Sequence, residues 1–102
     1  MADKHIYRVI FHNQGKVYEL YAREVSQAAM MGFVEVGDLV FGEKSELLVD
    51  PAEERLRSEF DGVRRFYIPV AAVVRIDQVE KRGKARISAV EGGAKVTPFP
   101  SP

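Results

Sequence analysis

The chain contains no cysteine, which excludes disulfides, thiolate metal sites and a cysteine nucleophile. Only two histidines occur, His5 and His12. Seven residues apart on one strand, they would point to opposite faces and could not ligate one metal together. An excess of either charge is also missing. Lys plus Arg and Asp plus Glu are both 15, which rules out the strongly basic balance of a protein coated by nucleic acid. Long apolar runs are absent: the longest stretch free of charged or strongly polar groups, Phe66 to Val74, falls far short of the ~18 residues that cross a bilayer. The opening Met-Ala-Asp-Lys-His-Ile-Tyr-Arg lacks the apolar segment of a signal peptide. A cytoplasmic location with no membrane partner is therefore expected. What is present, 46% hydrophobic and 29% charged residues over 102 positions, describes one globular domain with a single modest core.

The segment 5–12 is rich in β-branched and aromatic residues and reads as a strand. Asn13-Gln14-Gly15 supplies a turn, with Gly15 free to take positive φ. The segment 16–24 forms the return strand, with Tyr18, Leu20 and Ala22 on one face at period two. Ser26 is a candidate cap for a short helical turn over 27–31, closed by Gly32. Phe33–Val36 and Leu39–Phe41 suggest one strand interrupted at Gly37-Asp38 by a bulge or bend, and Glu46–Val49 is a further apolar run. The clear helix begins at Asp50, an N-cap followed by Pro51 at the first helical position and Glu53 in a capping-box pattern. Ala52, Leu56 and Phe60 form a narrow apolar stripe, with Glu53–Arg57 and Arg55–Glu59 as i,i+4 pairs, so the helix buries one edge only. Asp61-Gly62 ends it. Strand character resumes over 63–68 and stops at Pro69, which marks an edge or corner. Beyond it, Ala72, Val74 and Ile76 share one face, with Arg75 and Asp77 on the other. Lys81–Lys84 is a charged turn, after which Ala85, Ile87 and Ala89 alternate with Lys84, Arg86 and Ser88.

These elements predict an α+β, mostly antiparallel β domain over 1–90: a small SH3-like or Sm-like barrel or half-barrel with one inserted surface helix at about 51–60. An open antiparallel sheet is the alternative. Residues 91–102 read as a flexible, Pro-rich C-terminal tail with a polyproline II bias.

Several stretches are shared with a known family: His5-Ile6-Tyr7 with Phe11-His12-Asn13-Gln14-Gly15, Gly32–Val36 with Phe41-Gly42-Glu43, and Val49-Asp50-Pro51 with Glu54-Arg55-Leu56. Tyr67-Ile68-Pro69, Arg75-Ile76-Asp77 and Thr97-Pro98-Phe99-Pro100 complete the set. Together they make the chain similar, over nearly its whole length, to an uncharacterised proteobacterial domain-of-unknown-function family, number eighteen-twenty. The resemblance implies a small intracellular bacterial protein and carries over no catalytic residue.

Motifs for known chemistry fail on spacing. Gly37 to Ser45 imitates a phosphate-binding loop, but Glu43 intrudes between Gly42 and Lys44, and Leu39, Val40 and Phe41 read as buried strand. Gly32-Phe33-Val34 echoes an RNA-recognition strand without its basic residue and second glycine, so Phe33 is expected in the core. Arg82 and Arg86 have the spacing of cyclic-dinucleotide-binding barrels but lack that motif's partner segment. Glu43, Glu46, Asp50, Glu53 and Glu54 crowd the start of the helix, where carboxylates favour its dipole, and they have no calcium-loop spacing. Neither histidine has an evident Ser or Cys partner. No catalytic, cofactor-binding or metal residue is predicted, and no cofactor.

Neutrality hides a division. Residues 35–61 carry Glu35, Asp38, Glu43, Glu46, Asp50, Glu53, Glu54, Glu59 and Asp61 against Lys44, Arg55 and Arg57. Residues 64–86 carry Arg64, Arg65, Arg75, Lys81, Arg82, Lys84 and Arg86 against Asp77 and Glu80. Two functions follow as expectations. The first is a non-enzymatic interaction module that binds protein or associates with itself, its Pro-rich tail able to dock on an aromatic groove. The alternative is RNA or single-stranded nucleic-acid binding, with Arg64, Arg65, Arg75, Lys81, Arg82, Lys84 and Arg86 on phosphates and Tyr67, Tyr18 or Tyr21 stacking on bases.

Overall fold

In the computed structural model, which describes residues 5–42 and 50–89, the chain forms strands β1 (Ile6–Asn13), β2 (Lys16–Gln27) and β3 (Phe33–Leu39), then helix α1 (Pro51–Glu59). Strands β4 (Arg65–Pro69), β5 (Val73–Val79) and β6 (Arg86–Ala89) follow, with a 3-10 turn at Val70–Ala72 between β4 and β5. All ladders are antiparallel. The strand order is β4-β3-β2-β1-β5, with β6 added to β2. The expected α+β class is thus observed. Among the described residues the sheet does not close: β4 and β5 lie at opposite ends of the order.

The β1–β2 hairpin turns through Gln14 at φ 54 and Gly15 at φ 77, with Asn13 opposite Lys16. Positive φ at both central positions matches the twist of the flanking strands. The long β2 changes partner along its length. Lys16–Glu19 pair with β6, whereas Ala22–Gln27 pair with β3. No helical turn forms after Ser26. Ser26 and Gln27 instead continue the ladder opposite Glu35 and Val34, and the chain reverses through Gly32 at φ 84. Ladder pairing here outweighs the weak capping signal of Ser26. β3 runs through Gly37-Asp38 without a register shift, and the predicted irregularity reduces to Asp38 at φ 57. Phe33 is half-buried and outside the core. The run Glu46–Val49, the carboxylates Glu43 and Glu46, and the tail 91–102 lie outside the described residues.

The core is Val9, Phe11, Tyr18, Leu20, Ala22, Val36, Leu56, Ile68 and Ala85. Opposed pairs Val9–Leu20 and Phe11–Tyr18 put the period-two face of the hairpin inward, as expected. Aromatic rings fill the gap between sheet and helix: Phe11 stacks on Tyr18 with centroids 5.3 Å apart, and Phe60 meets Phe66 at 4.8 Å.

α1 begins as predicted. Asp50 Oδ1 accepts from the N–H groups of Ala52 at 3.0 Å and Glu53 at 3.4 Å, and Pro51 occupies the first helical position. The capping box is not completed, because Glu53 turns inward and accepts from the Ala85 N–H at 3.3 Å. Of the stripe, Leu56 is sealed at 1% exposure. The two i,i+4 pairs also give way. Arg57 meets Glu54 at 3.5 Å, donates to the Gly42 carbonyl and lies over the Phe41 ring. Glu59 accepts from the Tyr18 hydroxyl at 3.1 Å. These contacts stitch the helix to the sheet and to the end of the segment after β3.

In β5 the face assignment needs one correction. A bulge opposite Ile10–Phe11 pairs Val73 with Phe11 and Arg75 with Ile10, leaving Val74 as the extra residue. Val73 therefore packs on the core, while Val74 is exposed at 52%. Arg75 and Asp77 do share a face, with Arg75 Nε 3.1 Å from Asp77.

Candidate functional site

The basic residues of 64–86 are placed at separate points of the fold, and most are already neutralised. Arg65, at the start of edge strand β4, meets Glu35 at 2.8 Å and Glu24 at 3.2 Å. Those carboxylates favour its charged form and raise its pKa. Arg75 lies on β5, the opposite edge, against Asp77. Arg82 stands 4.0 Å from Glu53, and Lys84 stands 3.8 Å from Asp50. The acidic and basic stretches of the sequence thus meet within the fold at α1 and the 82–84 segment. Arg64, Lys81 and Arg86 are exposed. Of the proposed stacking rings, Tyr18 and Tyr21 are only 3% and 6% exposed and are closed to a base, whereas Tyr67 is 44% exposed.

Among the described residues, grooves open on the side carrying α1, and two of them bear on the site. The larger, about 500 Å³, is lined by Leu39, Phe41 and Phe60 together with Glu24, Asp38 and Arg57, and by the 61–65 segment. Its charges are mixed, so it does not select an ion of one sign. The smaller, about 230 Å³, lies between the end of β1 and β4 and includes Phe11, His12, Glu59, Phe66 and Tyr67. Glu59 of this groove accepts from the Tyr18 hydroxyl, and burial and that neighbouring carboxylate both push the hydroxyl above its ordinary pKa. His12 lines this groove. His5 lies beside Gln78, its Nδ1 3.1 Å from that amide nitrogen. Among the described residues no group of His, Asp and Glu could hold a metal ion, and no helix is long and apolar enough to cross a membrane.

The clearest unsatisfied surface is apolar. Met30 at 49%, Met31 at 92%, Val70 at 54%, Val74 at 52% and Ile76 at 37% are all exposed. The Val70 N–H donates to the Gly32 carbonyl at 2.9 Å. That bond ties the 3-10 turn, which carries Val70, to Gly32 in the β2–β3 turn, which carries Met30 and Met31. A charged triad lies on β1 and β5, its Arg75 and Asp77 flanking Ile76. Arg8 Nη2 reaches Asp77 Oδ2 at 2.6 Å, and Arg75 reaches the same carboxylate. Arg8 first and Arg75 second hold the Asp77 carboxyl below its ordinary value of 3.8. Sequence reading missed the methionine–valine rim. Met30 and Met31 fall in the stretch expected as a helical turn, and the Val70–Gly32 bond spans a separation that periodicity cannot register.

An antiparallel α+β domain with an apolar rim, and with no metal cluster among its described residues, defines the class of this molecule. The chain belongs to the family described as Domain of unknown function (DUF1820), whose model matches residues 5–101. No curated protein and no solved structure matches it.

Proposed function

We propose that the protein is a non-enzymatic protein-interaction module whose docking surface is the rim formed by Met30, Met31 and Val70 and continued by Val74 and Ile76. The observation that carries this reading is the hydrogen bond from Val70 N–H to the Gly32 carbonyl, 2.9 Å long. It joins two segments that carry large, exposed apolar side chains, Met30 and Met31 on one and Val70 on the other. Exposed clusters of this kind mark interaction sites, and methionine adapts its shape to a partner. The ion pairs on Arg65, Arg75, Arg82 and Lys84 weigh against the nucleic-acid alternative, because a cation already paired releases fewer counterions on meeting phosphate. A half-barrel of SH3-like or Sm-like type is the fold reading that goes with this proposal. Its support is the short 3-10 turn that carries the chain from β4 to β5, the two ends of the strand order.

A photo-cross-linking residue at position 31 or 70, compared with one at the exposed Arg55 on α1, tests the reading. Protein adducts confined to the rim positions are expected. Adducts absent from the rim, or equal at Arg55, would overturn it. Salt-dependent binding of mixed-sequence single-stranded RNA, lost when Arg64, Lys81 and Arg86 are reversed, would instead establish the alternative.

A further inference from the structure

The β5 strand combines three properties that point to a specific partner. It lies at the end of the strand order and pairs only with β1, so among the described residues its outer row of N–H and C=O groups has no ladder partner. The other end strand, β4, is short and ends in Pro69, a device that discourages strand addition. β5 has no proline, is seven residues long, and exposes Val74 and Ile76.

Its sequence is also self-complementary. Val73-Val74-Arg75-Ile76-Asp77-Gln78-Val79, laid antiparallel on a second copy about a two-fold axis at Ile76, places Ile76 opposite Ile76. Arg75 then falls opposite Asp77, Val74 opposite Gln78 and Val73 opposite Val79. Every charge in this register meets its opposite, twice over by symmetry. A shift of the axis by one residue, to Arg75 or to Asp77, places like charges face to face at its centre, which costs stability. Two-fold interfaces are built from one self-complementary patch in this way. The bulge at Val74 leaves the Arg75–Asp77 stretch in regular register with β1, and that stretch forms the centre of the pairing.

We infer that the partner of this module is a second copy of the chain, joined through antiparallel pairing of the two β5 edges in the register that sets Ile76 against Ile76. The inference rests on the proposed interaction role and names its partner. Arg75, whose side chain is 64% exposed, exchanges part of its contact with its own Asp77 for the Asp77 of the other copy, while Arg8 keeps its hold on that carboxylate from β1.

The absence of cysteine makes the register directly readable. Directly opposed antiparallel residues have Cα atoms about 4.5–5.5 Å apart, within disulfide range. Ile76→Cys should therefore give a disulfide-linked dimer on mild oxidation, at least ten-fold faster than Val74→Cys or Gln78→Cys alone. Mixing those last two variants should restore linkage between them. Sedimentation of the cysteine-free chain should show a concentration-dependent dimer, lost in Ile76→Lys while the circular dichroism spectrum is retained. A monomer throughout the micromolar range, or linkage through Val74→Cys alone at the Ile76→Cys rate, would overturn the inference. Rim adducts to a different protein, with Ile76→Cys remaining monomeric, would overturn this pairing and leave the interaction role standing. Monomer and no rim adducts would remove both.

Discussion

The carboxylate of Glu53, on a residue only 7% exposed, accepts the backbone N–H of Ala85 at 3.3 Å. It thereby fastens the first turn of α1 to the segment entering β6. A capping position has been given over to a tertiary contact, since Asp50 alone closes the N-terminus of the helix. Glu53→Ala strands the Ala85 N–H in a buried site, where an unpaired donor costs about 1–3 kcal/mol. Glu53→Gln keeps an acceptor oxygen and should lose less than Glu53→Ala. Urea unfolding of the two variants measures the difference, and equal losses would show that the acceptor oxygen has no part in it.

Leu56 is the one residue of the apolar stripe on α1 that is fully sealed. Leu56→Ala should cost about 2–4 kcal/mol through lost burial and a residual cavity. Asp50→Ala should cost about 1 kcal/mol, because two N–H groups of the first turn lose their acceptor. The two sites are separated by more than a helical turn and share no partner, so their losses should add in the double variant. Thermal unfolding of the singles and the double checks both magnitudes and their sum.

Local signals fared well where one short stretch decides the outcome. The Asp50-Pro51 start of the helix, the Asn13-Gln14-Gly15 turn, the inward face of Tyr18, Leu20 and Ala22, and Pro69 at an edge were all legible. Ser26–Met31 was not, because the cap signal of Ser26 competes with ladder partners Glu35 and Val34 that only the paired strand reveals. Val74 misled for a similar reason: alternation is reliable only while the register is unbroken, and the bulge opposite Ile10–Phe11 inserts one residue. At the candidate site the basic run was visible, but its neutralisation by Glu24, Glu35, Asp50 and Glu53 depends on contacts far apart in sequence. The same holds for the rim, because the bond from Val70 to Gly32 joins segments far apart in sequence.

Acid should act through Asp77. Its carboxyl is held below the ordinary 3.8 by Arg8 first and Arg75 second. A group depressed in the folded state adds stability that is complete above its unfolded pKa and drains away as pH falls through the folded one. Asp77→Asn should therefore destabilise the chain at neutral pH, by an amount that is constant down to about pH 5 and shrinks below about pH 4. Denaturant titrations of both proteins from pH 7 to pH 2, at concentrations too low for association, test this. A gap that stays constant into strong acid would show that the ion pair does not contribute.

Gly83 packs directly against the Tyr21 ring and hydroxyl. A Cβ at Gly83 would lie 2.5 Å from the Tyr21 hydroxyl oxygen and 3.0 Å from Cζ, closer than van der Waals contact allows. Tyr21 cannot retreat freely, because its residue is 6% exposed and its hydroxyl donates to Glu19 at 3.3 Å. Gly83→Ala must therefore displace either the ring or the 82–84 segment that carries Arg82 and Lys84, at about 1–3 kcal/mol for overpacking. Tyr21→Phe removes the atom in closest conflict while leaving the ring. The double variant should accordingly be more stable than the sum of the single losses predicts, with a positive coupling of about 0.5–1 kcal/mol. Strict additivity in a double-mutant cycle would show that the hydroxyl contact is not the source of the loss. Displacement of the segment, by loosening the Lys84–Asp50 and Arg82–Glu53 contacts, should appear as faster amide exchange at Ala85, whose N–H is held by Glu53.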